Sequence, residues 1–358
     1  MSNDFVRRLG IEHPLLLAPM AGETAKPALT IAVSNAGALG AIGAAYMAPQ
    51  AIRDAIRAIR AGTSRPFHVN LFAPTAWAVD SDKVAAYRQE LGAAHDALGL
   101  AVPELPNTYQ ESFEAQFAAV LEEAPAVFSF TFGMPSAEQI AALKSRGILA
   151  IGTATTVAEA RALEQLGVDA IAAQGMEAGG HRGSFLDSVE HSLVGTMALV
   201  PQIVSAVKLP VIAAGGIGDG RGVAAALCLG ASAVALGTSF LLAEETGLGA
   251  GYRALLQSEQ AERTALTRAF SGRHARGIRN GFLDRLAGRD ALIPDFPVAN
   301  AMSRSMRAAA AKAGQTDYQS LWAGQAARLA RPEPAAAIVA RVMREARETL
   351  QATAKLAI

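Results

Sequence analysis

Pro210-Val-Ile-Ala-Ala-Gly-Gly216 and, one helical stretch later, Ala233-Val-Ala-Leu-Gly-Thr238 decide the fold. Each is a short apolar run ending in a glycine turn. Each is too short for a helix and reads as a strand buried on both faces, as in a parallel sheet. Residues 221–229 between them have helical spacing, which makes a strand, helix, strand unit. The same unit recurs back toward the N-terminus. Residues 14–20, 38–43, 67–72, 126–133, 149–154 and 170–175 read as strands, and 28–35, 49–61, 136–146, 156–166 and 193–207 as helices. Eight strands in near-continuous alternation predict an α/β fold, a closed (β/α)8 TIM barrel. An open doubly wound sheet is the structural alternative, and the unbroken alternation favours closure.

Two stretches fall outside the repeat. Residues 75–112, with Pro103 and Pro106, and residues 245–329, helix-rich and more charged, follow the third and eighth strands. Loops after strand C-termini lie on a barrel's active face. The chain is therefore expected to divide into a barrel (1–74, 113–244 and 330–358) and a helical cap or substrate domain (75–112 and 245–329). A last helix, 334–355, would close the outer ring.

The 358 residues carry 32 Lys+Arg against 32 Asp+Glu, so no polyanion such as nucleic acid is implied as a partner. Cys228 is the only cysteine, which excludes an internal disulfide and fits a reducing cytoplasm. Its place in a helix predicts a buried, inert thiol. No apolar run reaches the length of a membrane span.

The clearest chemistry lies where the last two strands end. Gly215-Gly216-Ile217-Gly218-Asp219-Gly220 and Gly237-Thr238 sit in the loops where barrels hold phosphate. Glycine lets the backbone approach an anion, and the helix that follows each turn is expected to present free N–H groups. Thr238 adds a hydroxyl. The dinucleotide fingerprint is absent, because Gly216, Gly218 and Gly220 are spaced GxGxG. The second signal is Gln174-Gly-Met-Glu-Ala-Gly-Gly-His181-Arg-Gly183, which starts at a strand end. Its glycines allow a flat ring to lie against the backbone. Gln174 offers an amide to a heterocycle edge. His181 is the imidazole on this loop, with an unperturbed pKa of about 6.5 suited to proton transfer. Pro19 ends the first strand among small residues, Ala18-Pro19-Met20-Ala21-Gly22. Asn70, near the end of the third strand, could donate to a ring carbonyl or make a core hydrogen bond. His68 reads as core, and His274 as solvated. No metal-ligand spacing is visible.

Together these residues resemble nitronate monooxygenase of the bacterial class I type, formerly 2-nitropropane dioxygenase. The resemblance runs over residues 14–325. It rests on Ala18-Pro-Met-Ala-Gly22, His68-Val-Asn70-Leu71, the 174–183 string, Ala213-Ala-Gly-Gly-Ile-Gly218, Leu236-Gly-Thr238 and Leu321-Trp-Ala-Gly-Gln325. It implies an FMN cofactor, with Ala18, Met20, Asn70 and Gln174 at the flavin ring or ribityl chain, and Pro19 beside them. Gly179 and Gly180 would line the ring. Gly215, Gly216, Gly237 and Thr238, next to Leu236, would hold the phosphate. His181 would be the active-site histidine, as base or orienting group. The implied reaction is oxidation of an alkyl nitronate by O2 to a carbonyl compound and nitrite, by an enzyme that is soluble and compatible with a homodimer. Glu23-Thr-Ala-Lys-Pro27 is more charged than the family pattern, which leaves substrate preference open. An FMN-dependent enoyl-acyl carrier protein reductase using NAD(P)H shares the barrel and much of the histidine loop. A flavin-free sugar-phosphate lyase or isomerase would share the phosphate grip but needs a lysine or acid pair at the strand ends, and none is obvious.

Overall fold

A computed structural model of the chain describes residues 4–24, 26–101 and 104–356. Ala25 in the charged loop and Pro103 in the first insertion lie outside them. The central strands are β1 (Leu15–Leu17), β2 (Gly40–Gly43), β3 (Phe67–Phe72), β4 (Val127–Thr131), β5 (Leu149–Ala154) and β6 (Ala170–Gln174). A two-residue strand, β7 (Gly180–His181), leaves this sheet, and β8 (Val211–Ala214) and β9 (Ala233–Leu236) complete it. The parallel order is β1-β9-β8-β6-β5-β4-β3-β2. Its two ends meet. Leu17 N–H donates to Leu39 O at 2.9 Å and Leu39 N–H to Leu15 O at 2.9 Å, so β1 bridges to the residue before β2. The sheet is thus a barrel and not an open doubly wound sheet.

Alternation along each strand explains the continuous apolar runs. Leu15 and Leu17 pack outward among the helices, while Leu16 shares the barrel interior with Val127, Ile151, Ile212 and Ala233. The helix Asp4–Leu9 plugs the bottom of that interior with Phe5, Val6 and Leu9. Most strands are apolar on both faces because both are buried.

Several strands end earlier than their apolar runs. β1 stops at Leu17 and not at Met20, and β8 stops at Ala214 because Gly215 and Gly216 turn with φ of 102° and 71°. β4 ends where Phe132 takes φ 81°, an uncommon and costly conformation for a bulky residue. Cys228 corrects an expectation: it lies in the helix Gly220–Cys228 but is exposed, on the side of that helix turned away from the barrel.

The insertion after β9 is not purely helical. It carries β10 (Thr264–Thr267) and β11 (Ala275–Ile278), and β11 pairs with β7 to make a three-stranded sheet, β10-β11-β7. Backbone pairing, invisible to helical periodicity, ties the insertion to the histidine loop. Val84, Tyr87 and Leu91 of the first insertion share a hydrophobic cluster with Phe270, Phe282 and Met302 of the second.

Candidate active site

The glycine turns at the ends of β8 and β9 are shaped by close approach. A Cβ on Gly215 would stand 3.0 Å from Ala178 N, and one on Gly216 3.1 Å from Glu177 Cβ. A Cβ on Gly179 would reach 2.5 Å from Gly324 N. Only glycine lets these three segments meet. Gly237 packs against Ala18 and Met20, where a Cβ would lie 3.3 Å from Ala18 Cβ and 3.8 Å from Met20 Sδ. Among the described residues, the N–H groups of Gly179, Gly216, Gly237 and Thr238 meet no protein acceptor. Unpaired amides at neighbouring strand ends suit an anionic ligand.

The helix after β8 does not contribute as expected. Its first amides are already taken: Asp219 accepts from Arg221 N at 3.0 Å and Gly222 N at 3.2 Å, and Glu345 accepts from Gly220 N at 3.1 Å. Two carboxylates at a helix N-terminus satisfy it and repel a second anion. The amides left for an anion are those of the turns themselves. Thr238 is also engaged, its Oγ1 accepting from Gly324 N at 2.9 Å.

The 174–183 loop is fastened by a residue that the sequence reading left without a role. Arg182 is 3% exposed and donates to Gln174 O at 2.6 Å and Gly175 O at 2.9 Å, and also to Ser192 O. Burial pushes its pKa down to about 10, which still leaves it cationic at neutral pH. Gln174 is committed to the same loop. Its Nε2 donates to His181 O at 3.0 Å, and its Oε1 accepts from Gly183 N at 2.8 Å. Its carboxamide therefore also shapes the loop, with its oxygen and one N–H already engaged by protein.

Beneath this loop the barrel holds a polar layer. His68 and Asn70 point inward on β3 with Ser129 of β4, all 5% exposed or less. His68 Nε2 lies 3.0 Å from Leu17 O, so that nitrogen carries the proton. His68 Nδ1 then accepts from Ser129 Oγ at 3.0 Å, and Ser129 Oγ accepts from Asn70 Nδ2 at 3.0 Å. The chain of bonds orients the Asn70 amide. Burial lowers the His68 pKa to about 4, so the ring is neutral.

His181 stands in a box of rings. The centroids of Phe72, Phe132, Phe296 and Trp322 lie 5.9, 5.5, 6.1 and 5.6 Å from its own. Its Nε2 is 2.9 Å from Ser271 Oγ. Burial, then the Arg273 and Arg307 charges, push its pKa down to about 3, well below the value of a free imidazole. A cavity of about 200 Å³, lined by Tyr46, Phe72, Tyr109, Phe296 and Arg304 among others, opens beside the box. A wider cavity of about 570 Å³ lies at the opposite end of the barrel. Its arginines Arg7, Arg8, Arg60 and Arg65 are paired with Asp4, Asp169, Glu123 and Glu12, so it is a poor anion site.

A family model described as nitronate monooxygenase matches residues 4–345. The chain belongs to the nitronate monooxygenase family. It is 42% identical to a probable nitronate monooxygenase of Staphylococcus aureus (strain Newman), over 98% of each chain. Its structure superposes on that of a nitroalkane oxidase from Streptomyces ansochromogenes with a TM-score of 0.89, at 38% identity, covering 96% of this chain and 98% of that one. FabK from Thermotoga maritima is also similar, with a TM-score of 0.79, 31% identity and 99% of each chain covered. As a nitronate monooxygenase family member, the protein is an oxidoreductase.

In this family member the expected residues divide by place. Ala18 and Met20 pack against Gly237, next to Thr238, and Gly215 and Gly216 pack against the 174–183 loop that carries Gly179 and Gly180; Pro19 is exposed beyond β1 and Leu236 is buried in β9. His274, expected to be solvated, is half-buried, and its carbonyl accepts from Arg182 N at 2.8 Å. Sequence reading missed Phe132, Ser271, Arg273 and Phe296. Arg182 and Trp322 were quoted within motifs but given no role. Only Arg182 had a usable signal, a charge inside a glycine-rich loop at a strand end.

Proposed function

We propose that the protein oxidises alkyl nitronates with O2, using FMN, to a carbonyl compound and nitrite. The observation that supports this most is the convergence of unpaired amides at two neighbouring strand ends with an imidazole held in an aromatic box. Gly179, Gly216, Gly237 and Thr238 would meet the FMN phosphate through backbone N–H groups. Asn70, oriented by Ser129 and His68, would donate to the ring system. When bound, the flavin supplies the electron acceptor between nitronate and oxygen.

The remaining chemistry belongs to the chain. Phe72, Phe132, Phe296 and Trp322 crowd His181 and would hold the alkyl part of the substrate. Arg273 and Arg307 are the charges that act on His181, and their sign favours an anion beside it. A ring whose pKa is pulled to about 3 is a weak proton abstractor. A neutral ring of such low basicity therefore suits a preformed nitronate, which has no proton to lose, better than a neutral nitroalkane. The two insertions, joined through one hydrophobic cluster, would form the cap that closes this site.

The test is an absorbance spectrum followed by turnover. Purified protein should be yellow and should consume O2 when an alkyl nitronate is added without nicotinamide. A protein that stays colourless after soaking in FMN would end the proposal. A yellow protein that ignores nitronates but oxidises NADH with an enoyl thioester would replace it with the reductase reading.

A further inference from the structure

Ser271 lies in the hairpin between β10 and β11 and is 1% exposed. Its hydroxyl has three partners. The Arg273 carbonyl stands 3.0 Å away and can only accept, so it takes the single hydroxyl proton. Arg273 N–H donates to the same oxygen at 3.3 Å. With the proton so placed, the His181 Nε2, at 2.9 Å, faces lone-pair density and brings its own hydrogen.

We propose that Ser271, committed through the Arg273 carbonyl, locks His181 as the Nε2–H tautomer and makes Nδ1 the bare nitrogen presented to substrate. Ser271 is thereby a positioning residue. Among the described residues Nδ1 meets no hydrogen-bond partner, which leaves it available. The charged groups acting on the ring are Arg273, beside β11, and Arg307, on the helix Arg304–Ala313. Both are cations and oppose a second ring proton, so the ring stays neutral and one tautomer must be chosen. The hairpin can make that choice because β11 pairs with β7, placing Ala275 opposite His181. Only the role of Nδ1 toward a substrate rests on the functional reading above; the tautomer does not.

The lock can be read without turnover. In flavin-loaded protein labelled with 15N-histidine, long-range proton–nitrogen spectra separate protonated from bare ring nitrogens. His181→Gln assigns the His181 signals. His68 is an internal reference, since its Nε2 faces Leu17 O and must be protonated. His181 is expected to show the Nε2–H pattern. Ser271→Ala should turn it into a tautomer mixture and lower kcat for nitronate about tenfold, and Ser271→Thr, which keeps the hydroxyl, should restore both. An Nδ1–H ring in the unmodified protein, or an unchanged pattern in Ser271→Ala, overturns the lock. If Ser271→Ala does not fold, the unmodified and Ser271→Thr spectra decide by the same criterion. A correct Nε2–H pattern in a protein that never oxidises nitronates keeps the lock and sinks the functional reading instead.

Discussion

The guanidinium carbon of Arg273 stands 4.0 Å from the centre of the Phe132 ring. The two come from distant parts of the chain, one from the second insertion and one from the end of β4. Arg273 is pinned there by the Ser184 and Arg182 carbonyls, to which it donates. Phe132 is held in a left-handed backbone conformation that puts its ring under the cation and beside His181.

Arg273→Ala should weaken nitronate binding. A cation over a ring contributes roughly 0.5–2 kcal/mol, and its charge also draws the anion. KM for nitronate should rise about 3- to 30-fold with a smaller change in kcat, as followed by oxygen consumption. Loss of the like charge should also raise the His181 pKa. An unchanged KM would remove Arg273 from substrate binding.

His181→Ala should keep its flavin and lose turnover to a degree that depends on the substrate. With a preformed nitronate no proton has to leave and the ring only shapes the pocket, so kcat/KM should fall by roughly 10- to 100-fold, the cost of a misplaced substrate. With the neutral nitroalkane a proton must also leave, and any activity present should fall by about 10²–10⁴-fold. Equal losses on both substrates would count against this division of roles.

Gly179→Ala tests the contact between the histidine loop and the 321–325 segment. The new methyl would sit 2.5 Å from Gly324 N, a backbone atom that cannot rotate away. The loop must shift and carry the Gly179 amide with it. Flavin retained after dialysis, measured from the visible absorbance per protein, should drop, while the barrel's far-UV circular dichroism stays the same. Full retention would show that the Gly179 amide does not hold the cofactor.

Stability should fall on mild acidification. His68 and His181 are pulled by burial to about 4 and about 3, below their unfolded value of about 6.5. The unfolded chain therefore binds more protons. The stabilisation is complete above pH ~6.5 and is lost as pH falls from there toward ~4, at up to about 1.4 kcal/mol per pH unit for each ring. Urea unfolding between pH 7 and 4.5 should show that slope, and His68→Gln should flatten it. A slope unaffected by His68→Gln would mean that the ring can charge in place.

Much of the architecture was legible in the chain. Apolar runs such as 210–214 and 233–236 carry their own periodicity, and glycines such as Gly215 and Gly216 mark turns that no other residue adopts cheaply. His181 was legible because a lone imidazole in a glycine-rich loop is a local anomaly. Ser271, Arg273, Phe132 and Phe296 were not, because nothing local distinguishes them from ordinary insertion and strand residues. The strands of the second insertion were hidden for a related reason: β11 exists because it pairs with β7, about 95 residues earlier, and four residues of Ala275-Arg-Gly-Ile278 carry little pattern alone.

The amino-acid order alone settled what is encoded within a few residues: strand and helix periods, the glycine turns, and the position of the imidazole. Folding in three dimensions decided what depends on atoms far apart in the chain. It brought Glu345 onto the first amide of the helix after β8, surrounded His181 with four rings, and set two arginines near it. A proton's affinity for a side chain is set by the solvent removed and the charges brought near, and those exist only once the chain has closed on itself.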